Sequence, residues 1–593
     1  MPQLPNTDLS RGNGYDLQKG VPVNNTENLP QKIAVVAEMN TANQSTPVTP
    51  IQITSRAQAA ALYGWGSPMD IKMRILFGNV GVNGIPVWAY PVASSGATYN
   101  QQIVAVSGTA TANVTHTLLI GGRSFLESGS YQLNITNGMT AAQVSTLIQN
   151  TVNGVLGCPM AAGAATGILT SIIHSGSAGS GYAANDLFNV VNATTGAVLA
   201  TGKVLTVSTG AVATYSILTP GYGYSVATNI ATVATSGAGT GFAIDITALT
   251  TGSASLISNW KGLTAEDITV NVLTYQIGQP AIANPAGLSY TVTEISAGTG
   301  TPNLTTTLAK LQQNGWNTIV DSGWGILNTT ANGYYITYNG NANTQSGQYA
   351  PLQFTPAIYV AGNVTDSTTV SADTAITEAL LNEMTIAVGS APLSLGLPME
   401  AASNYVVNFA NISNNTPNID IQAIPLPDMP GPLPGSAAPA QNSNYSLRNA
   451  LMQDGMTTVK WSGSAYYPQD FVTTYAPAGE YPPAFRYPRD LMIDYNVEFK
   501  YKKIIKSFEG YQIAKDNDIV TAPKVIKPKD IVGLLTGLAY DLVAQGFISD
   551  AKAMISSISV TINSTNVNRF DISFSYNRSG VTRVISNVAT ANP

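Results

Sequence analysis

The sequence predicts a multidomain chain of mixed α/β and α+β class: an α/β core, an inserted β domain carrying an extra Gly-rich β module, and a carboxyl α+β domain. Three observations predict it. Strand–helix–strand patterns open the chain and return between about residues 297 and 426. Between them, residues 105–275 change to short β runs separated by Gly/Thr turns. Near the carboxyl end, a helical leucine stripe precedes strands of strict alternation. A length of 593 residues fits about three to five domains.

In order, residues 1–30 are polar, rich in Asn, Pro and Gly and without a period, so they read as an arm. Lys32 to Ala37 is a buried strand candidate. Ser55 offers an N-cap to a short helix, Arg56 to Tyr63, and Ser67 followed by Pro68 opens a second. In that second helix Met69, Met73, Leu76 and Val80 share one face up to Gly78/Gly81, and Ile85 to Val92 returns as a strand. Within 105–275, His174 to Thr250 reads as a separate module: Gly181-Tyr182-Ala183 recurs as Gly223-Tyr224-Ser225, with a related step at Gly239 to Phe242. Leu304, Leu308 and Leu311 make a helix face before the strand Trp316 to Val320, and Thr374 to Met384 is a helix leading into the strand Thr385 to Val388. A Pro-rich linker, Pro425 to Pro439, closes this part.

Asp490 to Phe508 mixes apolar positions with Lys500, Lys502, Lys503 and Lys506. After Pro528, the residues Ile531, Leu534, Leu535, Leu538 and Leu542 form a stripe that stops at Gly546. Ile558, Val560, Ile562 and then Phe570, Ile572, Phe574, Tyr576 alternate as two strands, and Val581 to Ala589 is a third extended run. The expected division is 1–30 arm, 31–94 and 276–428 core, 95–275 β domain with its insert at about 174–250, 429–580 carboxyl domain and 581–593 terminal arm.

Composition excludes several classes. Charged residues make up 10% of the chain, against a usual value of about 25%. One Cys (Cys158) rules out a disulfide scaffold, and two isolated His (His116, His174) rule out most metal centres. A net charge of −6 argues against a dedicated DNA binder. No apolar run reaches the roughly 20 residues of a membrane span, and the first residues lack a signal-peptide pattern, so a cytosol-like compartment is expected. Charge is also uneven. Between Ser124 and Leu447 three lysines (Lys203, Lys261, Lys310) face fourteen Asp/Glu, whereas sixteen Lys/Arg face thirteen Asp/Glu from Arg448 onward. Two surfaces so different suit two environments, or simply a soluble helical domain at the end.

Catalytic constellations are weak. His116 lies in an alternating strand, Cys158 reads as a small buried residue, and Glu266-Asp267 sits at a strand entry without a cleft motif. A glycosidase pair need not be close in sequence, so that class stays open as an alternative. The glycines near Tyr182 and Tyr224 read as turns, since no helix or Lys-Ser/Thr follows to cradle phosphate. The lysines at 500–506, interleaved with Phe499, Tyr501 and Phe508 but flanked by Asp494, Glu498 and Glu509, read as a mixed-charge face for a protein partner rather than for nucleic acid.

Several stretches resemble a known family. Ala60 to Pro68 (AALYGWGSP) followed by Pro86 to Val92 (PVWAYPV) resembles the opening of tail sheath proteins of contractile-tailed bacteriophages, in particular the Mu-like sheath family. Leu119 to Arg123, Trp260 to Ile268, Asn303 to Val320, Tyr445 to Gly455, Phe471 to Tyr475, Pro523 to Ile526 and Asn566 to Asp571 are similar to later landmarks, in the family's order. The insert at 174–250 and the segment Ile326 to Ala350 depart from the pattern. The resemblance implies a non-enzymatic structural subunit without cofactors. It implies stacked rings forming a helical sleeve around an inner tail tube protein, bounded by baseplate and tail terminator proteins. Such a sleeve belongs to the virion, is assembled in the host cytoplasm, contacts neither nucleic acid nor membrane interior, and contracts to drive the tube for genome ejection. Exchanged terminal strands would lace the subunits: Tyr15, Leu17, Val21 and Val23 of the first arm, and Val581, Arg583 and Ile585 of the last. A receiving sheet of Ile558, Val560, Ile562, Phe570, Ile572 and Phe574 would take them by β-augmentation, the alternative being that Val581 to Asn587 pairs within its own chain. The β domain would point outward, and Lys500, Lys502, Lys503 and Lys506 would face the tube. A tail fibre or adhesin, equally rich in Gly, Thr and Asn, is the rival binding-protein reading.

Overall fold

The computed structural model describes residues 27–45, 48–94, 97–164, 168–173, 177–191, 200–219, 221, 224–250, 252–277, 286–368, 372–480 and 483–582. These divide into two compact units, a larger one of 31–411 with 421–488 and a smaller one of 27–30, 412–420 and 489–582. The division differs from the expected carboxyl domain at 429–580, because 429–488 groups with the larger unit. The reason is main-chain pairing: Thr474 N–H donates to the Ile386 carbonyl at 2.8 Å, and Ala387 bridges Thr473.

The larger unit is built on a six-stranded sheet in the order Ile51–Ile53, Val87–Val92, Ile33–Glu38, Ile319–Gly325, Ile358–Asn363, Ile386–Ser390. All neighbours run parallel except the antiparallel edge strand Ile51–Ile53. Continuous apolar runs such as Ile33–Glu38 are buried along their whole length, as a parallel sheet covered on both faces requires. Ser55 and Ser67 cap the helices Arg56–Tyr63 and Pro68–Leu76, each hydroxyl accepting from a backbone N–H three residues on. The second helix ends at Leu76, not at Gly78/Gly81, which leaves Val80 outside it and 58% exposed. Every residue of Pro68–Leu76 is buried, its charges included. Lys72 Nζ lies 2.7 Å from Asp321 Oδ1, while Arg74 and Arg123 share Glu400 and Asp428. Leu304, Leu308 and Leu311 are buried as expected, but only Thr305–Leu308 is helical; the next strand is Ile319–Gly325, and the helix expected at Thr374 to Met384 runs Ala372–Ala379. Helices also form at Thr329–Asn339, Pro398–Asn415 and Tyr445–Gln453, where the sequence predicts none.

Between the two halves of this sheet the chain makes antiparallel sheets. One has the order Leu288–Ser296, Tyr99–Gly108, Ser253–Lys261, Met160–Ala164, and another Val270–Leu273, Val114–Ile120, Gln132–Ile135. The helix Ala141–Gly154, opened by a Thr140/Gln143 capping box, buries Val144, Ile148 and Val152 in their common core with Leu118, Leu133 and Leu256. A seven-stranded sheet holds the strands from Ile168–Ile173 to Thr240–Thr250, and its two ends are cross-strand neighbours, Ile168 opposite Thr250. The tyrosines of the Gly-Tyr steps feed its core: Gly181 has φ 76°, Tyr182 meets Phe242 edge-on at 5.9 Å, and Tyr224 Oη donates to the Val190 carbonyl at 2.6 Å, while Gly223 lies outside the described residues.

The smaller unit contains the helices Pro488–Lys506, Pro528–Ala544 and Ala551–Ser557 and one hairpin, Ser559–Ile562 with Phe570–Ser573. Ile531, Leu535, Leu538 and Leu542 form its core with Ile493, Val497, Phe547 and Met554. Gly546, at φ 72°, stops the leucine helix in the left-handed conformation that glycine adopts freely.

Candidate subunit interface

The hairpin pairs Ser559 with Ser573, Val560 with Ile572, Thr561 with Asp571 and Ile562 with Phe570. Period-two alternation puts Val560, Ile562, Phe570 and Ile572 on one face. Ile558, Val560, Phe570, Ile572, Phe574 and Tyr576 are half-buried against the helical core. At the turn, Asn563 Oδ1 accepts from the N–H groups of Thr565 and Asn566 at 2.9 and 2.8 Å, and Asp571 is tied to Asn563 at 2.7 Å and Arg569 at 2.6 Å. Among the described residues no third strand joins this hairpin. A two-stranded sheet is marginal by itself, and an open edge is a template for a further strand.

The expected receiving residues therefore lie together on this hairpin and its flanks. Of the expected arms, Tyr15, Leu17, Val21, Val23, Arg583 and Ile585 lie outside the described residues; Val581 is described, and is not in a strand. The four lysines do not share a surface. Lys500 is 0% exposed, with Nζ donating to the Glu27 carbonyl at 2.9 Å and lying 5.7 Å from the Phe547 ring centre. Burial pushes its pKa down to about 8, against the favourable charge of Asp541. That placement corrects its reading as a tube-facing cation: its position on the helix turns it inward, while Lys503 and Lys506 are exposed and Lys502 is paired with Glu498 at 3.3 Å.

The candidate catalytic residues all lie in the larger unit. His116 Nδ1 is 2.8 Å from Tyr290 Oη in the β core, and burial raises the Cys158 thiol pKa. A cavity of about 260 Å³ opens at the carboxyl ends of Ile319–Gly325 and Ile358–Asn363, lined by Trp324, Asn363, Glu266 and Asp267 among others. Glu266 Oε2 accepts from Asn100 Nδ2 at 2.8 Å and from Gly298 N–H at 2.7 Å, so this carboxylate ties two crossing segments together. Burial, helped by the charge of Glu266, pushes Asp267 up to about 7. Nearby, Trp260 Nε1 donates to Thr264 Oγ1 at 2.9 Å, and Thr264 in turn donates to Glu38, whose carboxyl burial pushes up to about 8. Among the described residues no group of three or more His, Cys, Asp or Glu is placed to hold a metal, and no helix is long and apolar enough to cross a membrane.

No family model and no curated protein matches the sequence. Among solved structures, the chain is similar to a sheath tail protein of Desulfitobacterium hafniense (9% identity, 96% of this chain and 100% of that one, TM-score 0.37). It is also similar to a sheath tail protein of Listeria innocua (11%, 94% and 93%, 0.35) and to the sheath complex of an extracellular contractile injection system in its contracted state (13%, 46% and 71%, 0.31). These neighbours are sheath proteins.

Proposed function

We propose that the chain is the structural subunit of a contractile tail sheath, polymerising as a helical sleeve around an inner tube and contracting to drive that tube through a host envelope. The observation that carries this reading is the two-stranded sheet, a hairpin that no third described strand joins and whose apolar face is only half-buried. The ordered resemblance from Ala60 to Asp571 supports it. Terminal strands of neighbouring subunits complete the hairpin, and backbone hydrogen bonds hold the lattice while the rings repack. Contraction follows from a metastable extended lattice with a lower-energy packing available, so no nucleotide is required. In this arrangement the antiparallel sheets of 99–296 face outward, and Lys502, Lys503 and Lys506 face the tube. The inner tube protein, the baseplate and a tail terminator are the partners, and genome ejection from a phage tail is the outcome.

Negative-stain microscopy of the purified chain tests the reading. Tubes or rings are expected; slender rods would indicate a fibre and dispersed particles an unpolymerised protein. Deleting 581–593 should leave the circular dichroism spectrum intact and abolish tubes. Tubes formed equally well by the truncated chain would refute strand exchange at that end.

A further inference from the structure

The Pro488–Lys506 helix holds the chain near both of its termini. Asn496, Lys500 and Lys503 follow at spacings of four and three, so they share one helix face. Leu29 N–H donates to Asn496 Oδ1 at 2.8 Å, Lys500 Nζ donates to the Glu27 carbonyl at 2.9 Å, and Lys503 pairs with the Glu27 carboxylate at 2.9 Å. The Leu29 side chain is buried, and Asn28 Nδ2 donates to the Asn415 carbonyl at 3.3 Å. The same helix grips the other end. Asp494 accepts from Tyr576 Oη at 2.8 Å and from Arg578 Nε at 2.7 Å, and Arg489 donates to the Ser579 carbonyl at 2.5 Å. Ser579 N–H also donates to the Phe547 carbonyl at 2.9 Å. Burying a lysine is costly unless its ammonium is satisfied, and here it is spent on the main chain of a terminal segment.

We infer that the Pro488–Lys506 helix is a double anchor, fixing the roots of both terminal segments at Glu27–Leu29 and Tyr576–Ser579 and carrying the load that those segments pass between subunits. Asn496 and Lys500 are positioning residues for the first root, Asp494 and Arg489 for the second. The load-bearing part rests on the strand-exchange reading; the anchoring part does not. Side-chain bonds to a main-chain segment cross-link it at fixed points, so tension on the segment passes into a helix packed in the core rather than into a loop.

Hydrogen exchange of the full-length protein, read by mass spectrometry, tests it. Lys500→Met keeps the aliphatic stem over Phe547 and removes the ammonium. Leu29→Ala alters the root and leaves the sequence of the helix untouched. Each is expected to speed exchange of the peptide containing Leu29 tenfold or more while Pro528–Ala544 stays protected, and to cut the polymerised fraction several-fold. Arg578→Met should do the same for the peptide containing Ser579, and the exposed Lys552→Met should change neither. Unaltered Leu29 protection in Lys500→Met and Leu29→Ala would overturn the anchor. Lost protection with normal polymerisation would overturn its load-bearing role. Deleting 1–26 separates the two readings: protection of Leu29 should persist, and if tubes still form, strand exchange at that end falls while the anchor stands.

Discussion

Glu38 closes a strand of the central sheet, fully buried, with one carboxyl oxygen accepting from Thr264. Its pKa is raised from 4.5 to about 8 because burial disfavours the charged form. A raised carboxyl pKa means that the folded chain holds the proton more tightly than the unfolded one. The stabilisation is full below pH 4.5 and is lost as pH rises toward 8; Asp267 adds to it in the same direction between 3.8 and about 7. Chemical denaturation of Glu38→Gln at pH 5 and pH 8 should show a flatter loss of stability than the parent chain. The difference is expected on the order of 1 kcal/mol per pH unit. Parallel slopes would count against a neutral Glu38. At the same scale, Lys500 marks the limit of reading lysines from sequence. Four lysines within seven residues look like one basic patch, yet helical geometry sends one inward and leaves two others on the exposed side.

Caps, stripes and stops at the level of elements were legible. Ser55, Ser67 with Pro68, and the leucines ending at Gly546 each act through groups within a few residues, and each element starts or stops where those groups place it. Val80 falls outside its expected helix because a repeating apolar residue says nothing about whether the helix continues beneath it. Pro398–Asn415 carries Met399, Ala402, Val406 and Phe409 at helical spacing, and packing on the sheet buries it nearly all round. The glycine-rich module leaves and re-enters the larger unit at neighbouring points. Ala164 pairs with Ala254 and Ile168 with Thr250, so the flanking strands meet without it. Replacing 165–252 by Asn-Gly should leave the larger unit's cooperative melt within a few degrees of the parent and tube formation intact. A loss of the cooperative transition would show that the module is part of that fold.

For the whole molecule, the proposed function makes free energy a property of the lattice rather than of the single chain. Purified tubes warmed without nucleotide are expected to shorten once and irreversibly, as a metastable assembly does. Shortening that reverses on cooling, or that requires nucleotide hydrolysis, would contradict the mechanism. The low charge content suits this role, since rings of many copies repack without bringing many like charges together. The sequence by itself determined the class of the fold, the inserted β region and the alternating strands of the hairpin, because periodicity, caps and turn residues act locally along the chain. Only the tertiary structure decided that 429–488 joins the central sheet's edge, that Lys72 and Arg74 are buried with carboxylates from hundreds of residues away, and that Lys500 grips Glu27. Those outcomes depend on partners distant in sequence, and no local pattern encodes which of the available carboxylates or carbonyls a buried cation will meet.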